Sequence, residues 1–281
     1  MDLQLHAIYR DPRYAENYFG LGNETKKTSD DKNYNRVRIG QLHVNPEISK
    51  TIQKSTLTAG VFYQQFEVEN TEGRYISDIP NNGLNPEIFE SQRFAGINLR
   101  YELDSRNDRV LPTRGIYWNT RSTFNYCLSS NAHTYNQLSS DFSFFLSFRK
   151  PYRTVIAFRA GGALNVGDYE FFQACSVGGQ NNLRGHRSTR YSGDANVYQN
   201  TELRFKLFNF ATYIAKGEAG ILGFNDFGRV WLAGEDSKVW HHGAGGGFWI
   251  SPFRLAVLNA MWEWSKDEPN GLFSFRFRFL F

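Results

Sequence analysis

Apolar and polar residues alternate in run after run of this chain, with turn residues between the runs. Across 95–103, Ala95, Ile97, Leu99, Tyr101 and Leu103 oppose Gly96, Asn98, Arg100 and Glu102. Phe142, Phe144, Leu146 and Phe148 oppose Asp141, Ser143, Ser147 and Arg149, with Phe145 breaking the polar face. Leu203, Phe205 and Leu207 oppose Glu202, Arg204 and Lys206. The chain closes on L-F-S-F-R-F-R-F-L-F, which sets Phe273, Phe275, Phe277, Phe279 and Phe281 against Ser274, Arg276 and Arg278. A period of two is that of a strand, whose successive side chains point to opposite faces. The pattern predicts about twelve strands, near 2–10, 35–45, 55–68, 93–103, 115–126, 135–148, 154–166, 195–208, 213–231, 240–250, 254–265 and 272–281, and no helical stretch of note.

Charged residues repeatedly share one face of a strand. In a soluble sandwich that face meets water; in a barrel it lines the lumen, where opposite charges pair across neighbouring strands. The last segment has the length of a barrel strand, about 9–11 residues, and the required apolar and polar faces. Connection lengths add a second signal. Segments 11–34, 69–92, 167–194, 232–239 and 266–271 are long and polar; 46–54, Lys150–Arg153, Asn209–Thr212 and Ser251–Phe253 are short. Bacterial barrels have long extracellular loops and short periplasmic turns. With Phe281 at the periplasmic side the two sets sort onto opposite ends, segment 104–114 being a longer exception. Trp118, Trp231, Trp240 and Trp249 near strand ends suit interfacial belts.

Composition fits this reading. The chain has 281 residues with 25 Phe, 15 Tyr, 6 Trp and 25 Gly but only 2 Met, a bias towards strands and aromatic girdles. Mean hydropathy is −0.52, and no apolar run reaches the roughly 18 residues of a membrane helix; barrel strands alternate and escape that test. A formal charge of +4 is too small to imply nucleic acid. Cys127 and Cys175 show no metal-ligand spacing. They read either as unrelated thiols or as one disulfide, both falling in connections assigned to the outer end.

Other chemistry fails its structural tests. No helix follows Gly243-Ala244-Gly245-Gly246-Gly247, so it is not a phosphate loop; its small residues leave space for an inward loop against the wall. His241 and His242 are adjacent and point to opposite faces of a strand, so they do not form one metal site. No Ser-His-Asp set stands out, which leaves a barrel hydrolase without a nucleophile.

Five segments, in order, resemble the BamA/TamA superfamily of outer-membrane assembly and translocation barrels, the bacterial surface antigen family. Leu103-Asp104-Ser105-Arg106-Asn107-Asp108 followed by Leu111-Pro112-Thr113-Arg114-Gly115 resembles the family's D-x-R…P-T-R-G turn. Gly178-Gly179-Gln180-Asn181-Asn182-Leu183-Arg184-Gly185-His186 resembles its R-G loop, with His186 where the family usually has Phe or Tyr. Asn200-Thr201-Glu202-Leu203-Arg204-Phe205 resembles the following E-x-R strand, and 223–231 resembles F-x-D-x-G-x-V-W. The end, with Phe277, Phe279 and Phe281, matches the C-terminal signal, and 18–25 (Y-F-G-L-G-N-E-T) resembles a loop common in these barrels.

The resemblance implies a Gram-negative outer-membrane barrel whose extracellular R-G loop folds inward, with Arg184 and Gly185 held by Glu202 and Asp226. A guanidinium forking to carboxylates is sound physics for a crowded lumen. Arg106 and Arg114 pair with Asp104 and Asp108 or face headgroups; a solvated charge cluster is the default. The implied role is assembly or translocation of outer-membrane or secreted polypeptides at a weak seam between first and last strands, with outer-membrane lipid, client chains and periplasmic domains or accessory lipoproteins as partners. No catalysis and no cofactor are implied. The alternative is a passive channel, or a membrane anchor for a fused soluble domain. Five predicted strands follow the R-G loop and seven precede it, so 1–281 reads as a twelve-stranded variant or as an N-terminally shortened piece of a sixteen-stranded barrel.

Overall fold

The computed structural model describes residues 1–11, 15–29, 31, 33–148, 153–213 and 215–281. The wall strands are β1 (Asp2–Arg10), β3 (Arg36–Ile52), β4 (Ser55–Val68), β5 (Gln92–Asp104), β6 (Gly115–Cys127), β7 (Tyr135–Phe148) and β8 (Thr154–Gly167). The wall continues with β11 (Ala195–Ala211), β12 (Lys216–Trp231), β13 (His241–Pro252), β14 (Leu258–Ser265) and β15 (Leu272–Arg276). The short β2 (Ala15–Asn17) adds to β3, while β9 (Cys175–Val177) and β10 (Tyr191–Gly193) form a separate two-stranded sheet. Every ladder is antiparallel, and each wall strand pairs with its neighbours in the order just given. Among the described residues β1 and β15 each have one wall neighbour on this path. Of the predicted turn Lys150–Arg153 only Arg153 lies within the described residues, and Arg149 lies outside them.

The long connections sit together at one end of the strands and the short ones at the other, with 105–114, between β5 and β6, the longer exception at the short end. The predicted turn at 46–54 shrinks to two residues, because β3 runs on to Ile52. Pro46 lacks an N–H for the ladder, but pairing with β4 resumes at Glu47 opposite Gly60, and the strand continues.

Outward residues form a broad apolar skin: Leu57, Val61, Ile97, Leu99, Phe142, Leu203, Ile221, Phe248 and Phe273 are all exposed. A monomer in water rarely shows so large an apolar surface; lipid is its natural solvent. The inner face is polar, with Asn98, Asn200, Glu202, Arg204 and Asp226 buried. Contacts between segments far apart in order show that the sheet curves around this interior. Arg254 reaches Asp108 at 3.2 Å across it, and the ring of Phe145 lies 6.1 Å from that of Phe281.

Two expectations need correction. The five terminal phenylalanines do not share one face. Phe273, Phe275 and Phe277 are exposed, but the β14 ladder ends at Arg276 and Phe279 turns inside, 6% exposed. Asn259 holds this turn by donating its side-chain N–H to the Arg278 carbonyl at 2.8 Å. Trp249, placed on a belt by its position near a strand end, is also interior, because Phe248 and Ile250 take the outward parity. Its indole N–H donates to the Ile221 carbonyl at 3.1 Å and its ring meets Phe279. Trp118, Trp231 and Trp240 are exposed.

The cysteines are free. Cys127 ends β6, where its S–H donates to the Ser129 carbonyl at 3.0 Å, and Cys175 opens β9 and is buried. Burial pushes the Cys175 thiol up to about 12, and the thiolate is the reactive form. Alkylation of the folded protein without reductant is therefore expected to add one label, at Cys127, and a second only after unfolding. A mass showing no label under either condition would restore the disulfide.

Candidate functional site

The connection between β8 and β11 rises through β9, turns into the interior at 178–190, and leaves through β10. Its tip lies across two adjacent rows of the wall. One row is Asn200, Asp226, Gly243 and Ser265; the next is Glu202, Phe224, Gly245 and Glu263. Strand alternation points all eight positions inward.

Arg184 lies on these rows with its side chain fully buried. Its Nε–H and Nη2–H donate to the two oxygens of Asp226, both at 2.7 Å. Its Nη1–H donates to Glu202 Oε1. The guanidinium covers the Phe224 ring at 3.8 Å, so its flat face has a π partner while its edge has two carboxylates. The main chain is held as well. The Arg184 amide donates to Asp226 and the Gly185 amide to Glu263, each at 3.1 Å, and the Gly185 carbonyl accepts from Ser265 Oγ at 2.6 Å. One dipeptide is thus bonded to β11, β12 and β14.

Two glycines make this approach possible. Gly185 adopts φ +82°, and a Cβ there would meet the Trp264 carbonyl oxygen at 2.5 Å. Gly243, opposite Asp226, faces the Arg184 carbonyl, which a Cβ would meet at 1.8 Å. The small-residue run at 243–247 is space for this loop and, at Gly245, for the Phe224 ring.

Towards the rim, His186 is 3% exposed and its Nε2–H donates to the His242 carbonyl at 3.2 Å. Arg190 stacks between Phe19 and Tyr191 and donates to the Thr25 hydroxyl and carbonyl, both at 2.8 Å. Asp267 accepts from the Tyr191 hydroxyl at 2.8 Å. Burial alone would raise its pKa; His186, the Arg190 charge and the Tyr191 hydroxyl outweigh that and hold it well below the usual carboxylate range. The 18–25 segment is sewn onto the same cluster. Buried Asn23 donates to Ser237 Oγ at 2.8 Å and to the Val239 carbonyl at 2.9 Å, and accepts from the Val230 amide. His241 faces inward and donates to the Asn23 carbonyl, while His242 points outward to Asn225.

Residues 2–279 match the model of the Omp85 superfamily domain. The chain belongs to the Omp85 superfamily. Among solved structures it is similar to BamA from Haemophilus ducreyi lacking POTRA domains 1-3, with a TM-score of 0.67 and 16% identity over 97% of this chain and 57% of that one. The chain therefore spans little more than half the length of that relative, and the likeness shows a shared barrel fold. Comparison with curated proteins gives no match.

In this Omp85 domain the D-x-R turn is more ordered than a solvated charge cluster. Asp104 takes a two-pronged bond from Arg106 at 2.9 Å on each side and lies 3.2 Å from Arg109. Asp108 caps the amides of Val110 and Leu111 and meets Arg254 rather than a neighbour in its own turn. Arg114 is exposed, Pro112 is buried, and Gly115 opens β6.

The motif reading left Glu263 and Arg204 without a role. Glu263 accepts from the Gly185 amide, Ser274 and Arg276. Its sequence signal was a lone carboxylate of inward parity between Trp262 and Trp264. Arg204 is 3% exposed and pairs with Glu202; the E-x-R spacing placed the two on one face.

Proposed function

We propose that this chain is the membrane wall of a Gram-negative outer-membrane factor that inserts or passes client polypeptides, pairing a client strand with the free edge of β15. The observation that carries this is the short β15 ladder. Five residues pair with β14, and the chain then turns inward, leaving an apolar edge strand without a second wall neighbour among the described residues. Such an edge offers N–H and C=O groups to an incoming strand. The Arg184 site holds the inward loop and stiffens the wall beside that edge. The function requires no catalytic step and no cofactor. Clients are outer-membrane or secreted chains that bring an extended apolar strand, delivered by periplasmic domains or accessory lipoproteins.

Crosslinking tests it. Phe275→Cys, in a chain whose native cysteines are serines, is reconstituted in vesicles with an unfolded outer-membrane barrel client carrying a cysteine in its last strand. The expected result is a disulfide to that strand and faster client folding than in empty vesicles. No crosslink and no acceleration would remove the reading. Large, steady conductance by the unaltered chain, unchanged on deleting 178–190, would favour a passive channel.

A further inference from the structure

Glu202 gives each of its oxygens to a different arginine. Oε1 accepts from Arg184, and Oε2 accepts from Arg204 Nε at 2.8 Å and lies 2.7 Å from its Nη2. Arg204 in turn serves the inward-turned tail. Its guanidinium covers the Phe279 ring at 3.8 Å, stands 5.6 Å from the Phe281 ring and 5.8 Å from Phe145, and donates to the Phe281 carbonyl at 3.1 Å. Among the described residues its Nη1 has no hydrogen-bond partner. Below it Phe279 packs in one cluster with Leu111, Trp249, Val257 and Met261. Phe145, the residue that broke the polar face of β7, is part of the same seat.

We infer that Arg204 is a positioning residue that couples the seating of the tail, 277–281, to the seating of the inward loop. Glu202 is the element they share. With the tail in place the arginine has a ring on its face and a carbonyl at its edge. When the tail withdraws, both partners leave, and the unmet hydrogen-bonding demand of a buried cation falls on its nearest carboxylate. Glu202 is then drawn from Arg184, and the loop loosens. The linkage is reciprocal, since a coupling free energy acts equally from either site. It does not depend on the client reading: it concerns two segments of this chain and applies equally to a channel or an assembly factor.

Hydrogen exchange on the full chain in phosphatidylcholine vesicles tests it, because the Arg184 and Gly185 amides donate directly to Asp226 and Glu263. Phe279→Leu keeps apolar bulk in the cluster and removes the ring from Arg204. Exchange at 184–185 is expected to rise about tenfold, towards the low end of the usual range for coupled sites. Arg204→Lys, which loses the planar fork, should act in the same direction, and Glu202→Gln should speed exchange across 277–281. Val257→Ala loosens the same cluster without touching Arg204 and should leave 184–185 within about twofold of the parent, the response of a local opening elsewhere. The inference is overturned if Phe279→Leu leaves the loop amides unchanged, or if Val257→Ala speeds them as much.

Discussion

Arg184→Ala is expected to cost this barrel about 3–5 kcal/mol, the range for removing one partner of a buried ion pair. The cost is large because two carboxylates, Glu202 and Asp226, each no more than 1% exposed, would lose the cation they share, Glu202 keeping its bond to Arg204. Mutual repulsion and lost solvation then act together. The Phe224 ring would lose the guanidinium on its face, and the loop would lose the side-chain bonds that tie it to β11 and β12. Arg184→Lys should recover little, since a point ammonium does not fork to two acids while lying flat on a ring. The measurement is the temperature at which the folded, heat-modifiable gel band is lost, together with complementation of a strain lacking the protein. A variant with unchanged heat-modifiability and full complementation would dismiss the lock.

Gly243→Val is expected to have the second-largest effect. Its Cβ would lie within bonding distance of the Arg184 carbonyl oxygen, a backbone atom that is not the end of a flexible side chain. Either the loop lifts off the wall or β13 moves back, and overpacking of this kind costs about 1–3 kcal/mol and occasionally more. The expected result is a folded wall with a displaced loop. Limited trypsin digestion should cut at Arg187 and Arg190 in the variant while sparing them in the parent. Gly246→Val, on the outward face where a Cβ first meets the Leu222 carbonyl at 3.0 Å, is the milder comparison. If both variants resist trypsin equally, the loop does not lie where Gly243 requires it.

Much of the wall was legible because alternation is a local property. Strands β1, β4 and β7 end where the pattern ended, at 2–10, 55–68 and 135–148. Pro46 misled because its missing N–H matters only on one side of the strand, and the ladder to β4 resumes one residue later. The tail misled for a different reason. Parity tells which residues share a face but not how long a neighbour persists, and β14 stops at Leu258. Phe279 therefore turns to the richer contact, Arg204. Trp249 lies inside because parity along β13, and not closeness to a strand end, sets the face a side chain takes. The site was legible through the order of its motifs, which bring together residues 184, 202 and 226 from three segments. Glu263 and Arg204 were visible as inward charges, but nothing local said what would meet them.

The fastening of Gly185 to β14 while Arg184 grips β11 and β12 has a mechanical consequence. The polypeptide acts as a tie beam across the chord of four strands, so the bend of that arc is set by bonds from within rather than by closure of the ring. A change of circumference elsewhere, as a strand joining at the β15 margin would make, would fall on the strands outside this brace. The braced third of the wall, four strands of twelve, would keep its radius while the rest adjusts.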